Sequence, residues 1–282
     1  MSRIIELFGK SAEASKENWS EVLKSQSCPF LERQCIKVRK SQPKISIGTC
    51  SVLYGEENRA ILICPFRFLE RRQIFTDCIH LLSLHEPGNE LHIVPEISIP
   101  GGSVDYFLVS VKSDKVRDFV GIELQTLDTT GTVWPERQRF VNSLGLSTLK
   151  KDVTSKKSFG MNWKMTAKTI LVQLHHKIRT FEHINKHLVL VIQDHLLSYL
   201  QEQFQFSHMS EARVGDPMHV HSYSMKKART GSHRIELSKR LSTNTEGIAR
   251  SLGLKAEANM ELETIVEQLE SKISSDTLFS VR

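Results

Sequence analysis

The chain has 282 residues, 39% hydrophobic and 25% charged, with a formal net charge of +6. That is an ordinary soluble composition, long enough for one large domain or two smaller ones. No apolar run approaches the roughly 18–20 residues that a spanning helix needs. The N-terminus carries Glu6, Glu13 and Glu17 and has no apolar h-region, which argues against a secretory signal and for a cytoplasmic protein.

Residues 2 to about 24 read as an amphipathic helix carrying Ile4, Ile5, Leu7 and Phe8, then Trp19, Val22 and Leu23. KISIGTCSVLY and RAILICP follow as short strands around the turn-like GEEN. PFRFLERRQIFTDCIHLLSL opens on Pro65 and has helical periodicity. ELHIVPEISI, SVDYFLVSV and RDFVGIELQTL form a three-strand antiparallel meander, its turns at PGGS and KSDK. PGGS precedes a strand and not a helix, so it is a turn and no phosphate loop. Helices are expected over 134–146 and 161–182, then a buried strand HLVLVIQ and a helix DHLLSYLQEQF with Asp194 as N-cap. MHVHSYSM and SHRIELSK suggest a hairpin. STNTEGIARSLGL is a short helix capped by Ser242 or Thr243. MELETIVEQLESKI places Leu262, Ile265, Leu269 and Ile273 on one stripe, read as core packing.

Charge is uneven along the chain. Residues 150–186 hold nine Lys or Arg against Asp152 and Glu182. MKKARTGSHRIELSKR is a second basic run. Two such segments make an anionic polymer a plausible partner, although solvated helix faces give the same pattern. The five cysteines, at 28, 35, 50, 64 and 78, all lie in the first 80 residues. In a reducing cytosol they read as metal ligands or as buried small hydrophobes rather than disulfides.

The segment VGIELQT is the most informative. Alternate strand residues share a face, so Glu123 and Gln125 lie side by side within an otherwise apolar strand. The neighbouring strand can bring Asp105 near Glu123, and Glu96 on the first strand can add a third carboxylate. Converging carboxylates repel one another unless a cation sits between them. Oxygen ligands suit Mg²⁺, which supports phosphodiester hydrolysis. Gln125 could orient the attacking water but is no strong base. Exposed edge-strand carboxylates are the plainer alternative. Among the twelve histidines, His175, His176, His183, His219 and His221 show no metal or nucleophile pattern and read as phosphate contacts or surface positions.

GGSVDYFLVSV followed by FVGIELQTLD resembles the active-site pattern of the PD-(D/E)xK nucleases, with Glu-x-Gln in place of Glu-x-Lys. That variant resembles the NotI-type restriction endonucleases. SCPFLERQCIKV, IGTCSVLY and LICPFRFLERR resemble the blocks holding that family's four-cysteine iron site. MNWKMTAKTIL and HLVLVIQDHLLSYL are also similar, and HRIELSKRLST is a weaker echo. The resemblance covers blocks within residues 25–200. It implies a restriction-endonuclease-like mixed-sheet core flanked by helices, of α+β or α/β class, with an N-terminal four-cysteine metal-binding subdomain. The expected organisation is 1–85 cysteine-rich region, 86–206 catalytic core, and 207–282 C-terminal hairpin and helices for DNA contact or dimerisation.

By position the resemblance makes Cys28, Cys35, Cys50 and Cys64 the ligands of a structural iron or zinc ion; Cys78 has no counterpart in the pattern and reads as a core cysteine on a helix. The resemblance makes Asp105 and Glu123 the Mg²⁺ ligands, Gln125 the third member of the catalytic set, and Glu96 an upstream acidic position. Lys150, Lys151, Lys156, Lys157, Lys164, Lys168, Lys226, Lys227 and Arg229 are candidate DNA contacts. Lys164 or Lys168 could in part replace the missing motif lysine, with backbone contact or solvent as the plainer reading. The implied activity is Mg²⁺-dependent cleavage of double-stranded DNA at a specific palindromic site by a type II restriction endonuclease. A homodimer and a protecting DNA methyltransferase would accompany it. A non-cleaving DNA-binding protein on the same core, or a repair or mobile-element nuclease, are the alternatives.

Overall fold

The structure, a computed structural model, describes residues 3–14, 17–204, 206, 208–228, 231–252 and 262–272. The start of the chain is not a helix. Ile4–Leu7 is strand β1, Lys10–Ser11 is β2, and helix α1 begins only at Trp19 and ends at Ser25. Phe8 and Gly9 both have positive φ and turn the chain back on itself. Glu6 is buried and held by Arg67, 61 residues away, a partner that local periodicity cannot reveal. Short strands β3 (Ser27–Cys28), β4 (Arg33–Gln34), β5 (Val38–Arg39) and β6 (Gln42–Ser46) follow as two small hairpins. β7 (Thr49–Tyr54) and β8 (Arg59–Leu62) join β1 and β2 in a four-stranded sheet.

The long helix expected from Pro65 is also replaced. Residues Pro65–Arg72 form 3-10 turns broken at Glu70 and Arg71, followed by α2 (Gln73–Thr76) and a further 3-10 turn at Ile79–Leu81. Arg67 is pulled inward onto Glu6 and Glu70, and Arg71 and Arg72 take left-handed φ values that end the helical path.

The meander is β9 (Glu90–Ile99), β10 (Gly102–Lys112) and β11 (Lys115–Leu124). β10 and β11 are joined by a tight turn with positive φ at both Ser113 and Asp114, matching the twist of the strands. Then come β12 (Thr129–Gly131), α3 (Trp134–Ser143), α4 (Lys150–Val153), β13 (Phe159–Met161) and α5 (Trp163–His183). β14 (His187–Gln193), α6 (Asp194–Gln203), β15 (Ser210–Glu211), β16 (Met218–Lys227), β17 (His233–Thr243), α7 (Thr245–Ser251) and α8 (Leu262–Glu270) complete the described chain. The central sheet is mixed, in the order β15-β17-β16-β14-β11-β10-β9, with β14 parallel to both β11 and β16. β14 is apolar almost throughout because both faces are covered. One apolar cluster lies under α5 and α6 on one face; the other lies under the Pro65–Leu82 segment on the opposite face.

Three smaller expectations are corrected. Asp194 is the first helical residue and not the cap; its Oδ1 accepts from the His195 N–H. Ser242 and Thr243 end β17, and Asn244 caps α7 through a bond from the Gly247 N–H. On α8, Ile265 and Leu269 are exposed rather than packed in a core, and Ile273 lies outside the described residues. Among the described residues no helix is long and apolar enough to cross a membrane.

Candidate active site

The site grows from the place where β10 and β11 separate. Their ladder ends at the Tyr106–Ile122 pair, which would leave the Leu124 N–H without a partner on β10. Asp105 supplies one: its Oδ2 accepts from the Leu124 N–H at 2.8 Å. On the other side, β11 continues along β14, with Glu123 opposite Leu190 and the Gln125 N–H on the Val191 carbonyl. Glu123 therefore points to the α5 face, into a cleft of about 320 Å³ lined by Ser103, Asp105, Glu123, Gln125, Gln173 and Lys177.

Lys177 brings a cation into this cleft. It is buried on the inner face of α5, and its Nζ donates to Glu123 Oε1 at 2.6 Å and to the Ser103 carbonyl at 2.5 Å. Burial pushes the Glu123 carboxyl up to about 7; Lys177 pulls the other way, and the Asp105 charge adds to the rise. Burial also raises Asp105, against the Leu124 N–H and Lys177. Two carboxylates that resist ionisation in one cleft form a place where an added cation is stabilised.

Glu96 takes a positive φ at a β9 bulge, between the Pro95–Tyr106 and Ile97–Val104 pairs and so opposite Asp105. Its charge reaches Asp105, but it is not part of the cleft lining. Gln125 lines the cleft, with its Nε2 donating to the Thr126 carbonyl at 2.7 Å. Lys164 and Lys168 lie on the exposed side of α5. Lys168 precedes Lys177 by nine residues, about 13.5 Å along the axis, so the lysine in the cleft is neither of the two expected from the sequence. The missed residue carried a signal. Lys177 falls on the buried stripe of α5 with Ile170, Leu174, Ile178 and Phe181, an unusual place for an ammonium without a partner.

The close approach of α5 has a sequence cause in the PGGS turn. Gly101 has φ +98°, and a Cβ there would lie 2.9 Å from the His176 carbonyl group. A Cβ on Gly102 would come within 3.2 Å of Lys177 Cε. Thr180 Oγ1 donates to the Pro100 carbonyl at 3.0 Å. Below the cleft, Gly121 admits the Phe181 ring, which a Cβ would meet at 2.5 Å. The two glycines of the turn and Gly121 let the helix seat Lys177 over Glu123.

Cys28, Cys50 and Cys64 are buried and Cys35 is half-buried; all are free thiols. Cys28 feels Cys35, Cys50 feels Cys64 and Cys28, and Cys64 feels Cys35 and Cys28. Backbone N–H groups of Phe30 and Leu31 point at Cys28, that of Gly9 at Cys50 and that of Phe66 at Cys64, each favouring a thiolate against the upward push of burial. Among the described residues, no set of three or more His, Cys, Asp or Glu side chains is drawn into a metal-holding group.

Lys150, Lys151, Lys156, Lys157, Lys226 and Lys227 are exposed, and Lys227 pairs with Glu13 at 2.5 Å; Arg229 lies outside the described residues. His219 and His221 are not at the surface. Both are fully buried, in register with Val189 and Val191 and hence on the face opposite Glu123. His219 Nε2 donates to the Asp216 carbonyl at 2.8 Å, and His221 Nδ1 lies 3.8 Å from Cys78 Sγ. The alternation seen in the sequence put them on one face; burial of that face by the Pro65–Leu82 segment was not visible there. Cys78 is fully buried, as expected of a core cysteine, but it lies in the turn between α2 and the Ile79–Leu81 turn and not on a helix.

Residues 20–233 match the family described as Restriction endonuclease NotI. No curated protein matches the chain.

Proposed function

The chain belongs to the NotI restriction endonuclease family, which makes it a type II, site-specific deoxyribonuclease acting on double-stranded DNA, and on that premise we propose that Asp105 and Glu123 are its catalytic metal ligands. The observation that carries this reading is the meeting of the two carboxylates, from different strands, in one open cleft. The ligands are hard oxygens and few, as suits Mg²⁺ completed by water and phosphate oxygens. When bound there, Mg²⁺ supplies a Lewis acid and lowers the pKa of water. Glu96 is an accessory acidic group that acts on Asp105 through its charge. Gln125, with Nε2 engaged by Thr126, presents Oε1 to accept from the attacking water. On this reading the mixed sheet is a PD-(D/E)xK core.

Lys150, Lys151, Lys156, Lys157, Lys164, Lys168, Lys226, Lys227 and Arg229 contact DNA phosphates, which gives steep salt dependence. The target is a palindrome cut by a homodimer, since a two-fold symmetric site calls for two equivalent active sites. A DNA methyltransferase protects the host genome. Cys28, Cys35, Cys50 and Cys64 hold a structural iron or zinc ion. The support is a Cys28 thiol within electrostatic reach of each of the other three, with Cys28, Cys50 and Cys64 met by backbone N–H donors.

Digestion of large and GC-rich DNA with and without Mg²⁺, followed by sequencing of the ends, tests the reading. Discrete fragments sharing one palindrome are expected, and Asp105→Asn and Glu123→Ala should each abolish them. Undiminished cutting by the double variant, or retained DNA binding with no cutting by the native protein on any of these substrates, would overturn it.

A further inference from the structure

We infer that Lys177 supplies, from helix α5, the positioning ammonium that a lysine at position 125 would otherwise bring to the cleft. The inference rests on the catalytic reading of Asp105 and Glu123. Three observations carry it. The strand offers only Gln125 two residues after Glu123, and its amide N–H is turned to the Thr126 carbonyl. Lys177 reaches the same cleft from the other side and holds Glu123 Oε1 at 2.6 Å. The PGGS turn is cut back to glycine where Cβ atoms would meet the helix backbone at His176 and the Lys177 stem.

A lysine used only for stability is poorly placed on a helix's buried stripe, because desolvating an ammonium opposes folding unless it is paired. Here the ammonium is paired with a carboxylate that is itself in the site, in a cleft open to substrate. In hydrolysis the water oxygen forms the new bond to phosphorus. The bond from phosphorus to one deoxyribose oxygen breaks. That oxygen leaves with the electron pair and takes up a proton, while the water's proton passes to solvent. No proton is routed through Lys177. The lysine fixes Glu123 and presents positive charge to the phosphoryl oxygens as their negative charge grows, which strengthens its interaction in the transition state over the ground state.

The experiment compares the native protein with Lys177→Met, Lys177→Gln and the double variant Gln125→Lys/Lys177→Met. Single-turnover cleavage, DNA binding in chelator, Mg²⁺ binding by calorimetry on the DNA-free protein, and the thermal midpoint are measured for each. Lys177→Met should cleave about 100-fold or more slowly, with DNA and Mg²⁺ affinities retained. The double variant should recover at least tenfold of the lost rate, which a structural role for Lys177 could not produce. If Lys177→Met fails to fold, Lys177→Gln, one atom shorter but still carrying an N–H donor, removes the charge, and the rescue is run on it. Cleavage within threefold of native in a Lys177 variant, or no recovery from Gln125→Lys in a folded, DNA-binding protein, would overturn the inference. A native protein that does not cut, or cutting that survives loss of Asp105 and Glu123, is instead a failure of the reading on which it rests.

Discussion

Acidification below pH 6.5 should destabilise this protein through His219 and His221, in a range where an ordinary exposed carboxylate is still ionised. Both side chains are fully buried on the sheet face away from the cleft. Burial, with His187 and His80 near His219 and Arg240, His219 and His80 near His221, pushes them down to about 4 and about 3 from an ordinary 6.5. Their folded-state values lie below the unfolded ones. The stability they contribute is therefore complete above pH 6.5 and is lost as the pH falls from there towards 4 and 3, because the unfolded chain binds the protons first. At pH 5 the loss is about 2 kcal/mol for each, or about 4 kcal/mol together, from 1.36 kcal/mol per pKa unit. Near pH 5 two extra protons in the unfolded state give a slope of about 2.7 kcal/mol per pH unit. Native stabilities of about 5–15 kcal/mol make that a large share. Denaturant titrations at pH 7.5 and pH 5 would measure it, with His219→Gln/His221→Gln as the comparison. That variant should lose much less stability between the two pH values. Equal losses in the native and variant proteins would refute the reasoning.

Other consequences follow from packing and pairing. Gly101→Ala should destabilise the fold by roughly 1–3 kcal/mol and slow cleavage by lifting α5 off the turn, whereas Gly55→Ala, where no atom stands within 4 Å of the added Cβ, should spare cleavage. Denaturant midpoints and single-turnover rates of the two variants check this. Arg67→Met leaves Glu6 buried with only Ser51 donating to it among its present partners, and should cost roughly 3–5 kcal/mol in denaturant titration; adding Glu6→Gln should restore part of that. On the four-cysteine proposal, Cys50→Ser should lose bound iron or zinc in elemental analysis and lower the thermal midpoint, while Cys78→Ser should keep the metal.

Much of this protein is local and could be read from the chain. The meander, the β16–β17 hairpin, the buried strand β14 and the long helix α5 follow from periodicity and turn chemistry, because strand alternation and helical stripes depend on near neighbours. The Asp105 and Glu123 pair was legible for the same reason, being set by two adjacent strands. What needed the tertiary structure depended on distant partners. Ile4–Leu7 is a strand because it lies against β7 and because Arg67 neutralises Glu6. The Pro65 segment breaks where Arg67 turns inward. His219 and His221 are buried because a segment more than a hundred residues earlier covers their face. Lys177, one of nine basic residues in the 150–186 segment, becomes the cation of the cleft because Gly101, Gly102 and Gly121 allow α5 to sit within contact distance of the strands. A sequence records which side chains a helix or strand presents to one face. Which surface meets that face, and how closely, is decided when the elements pack.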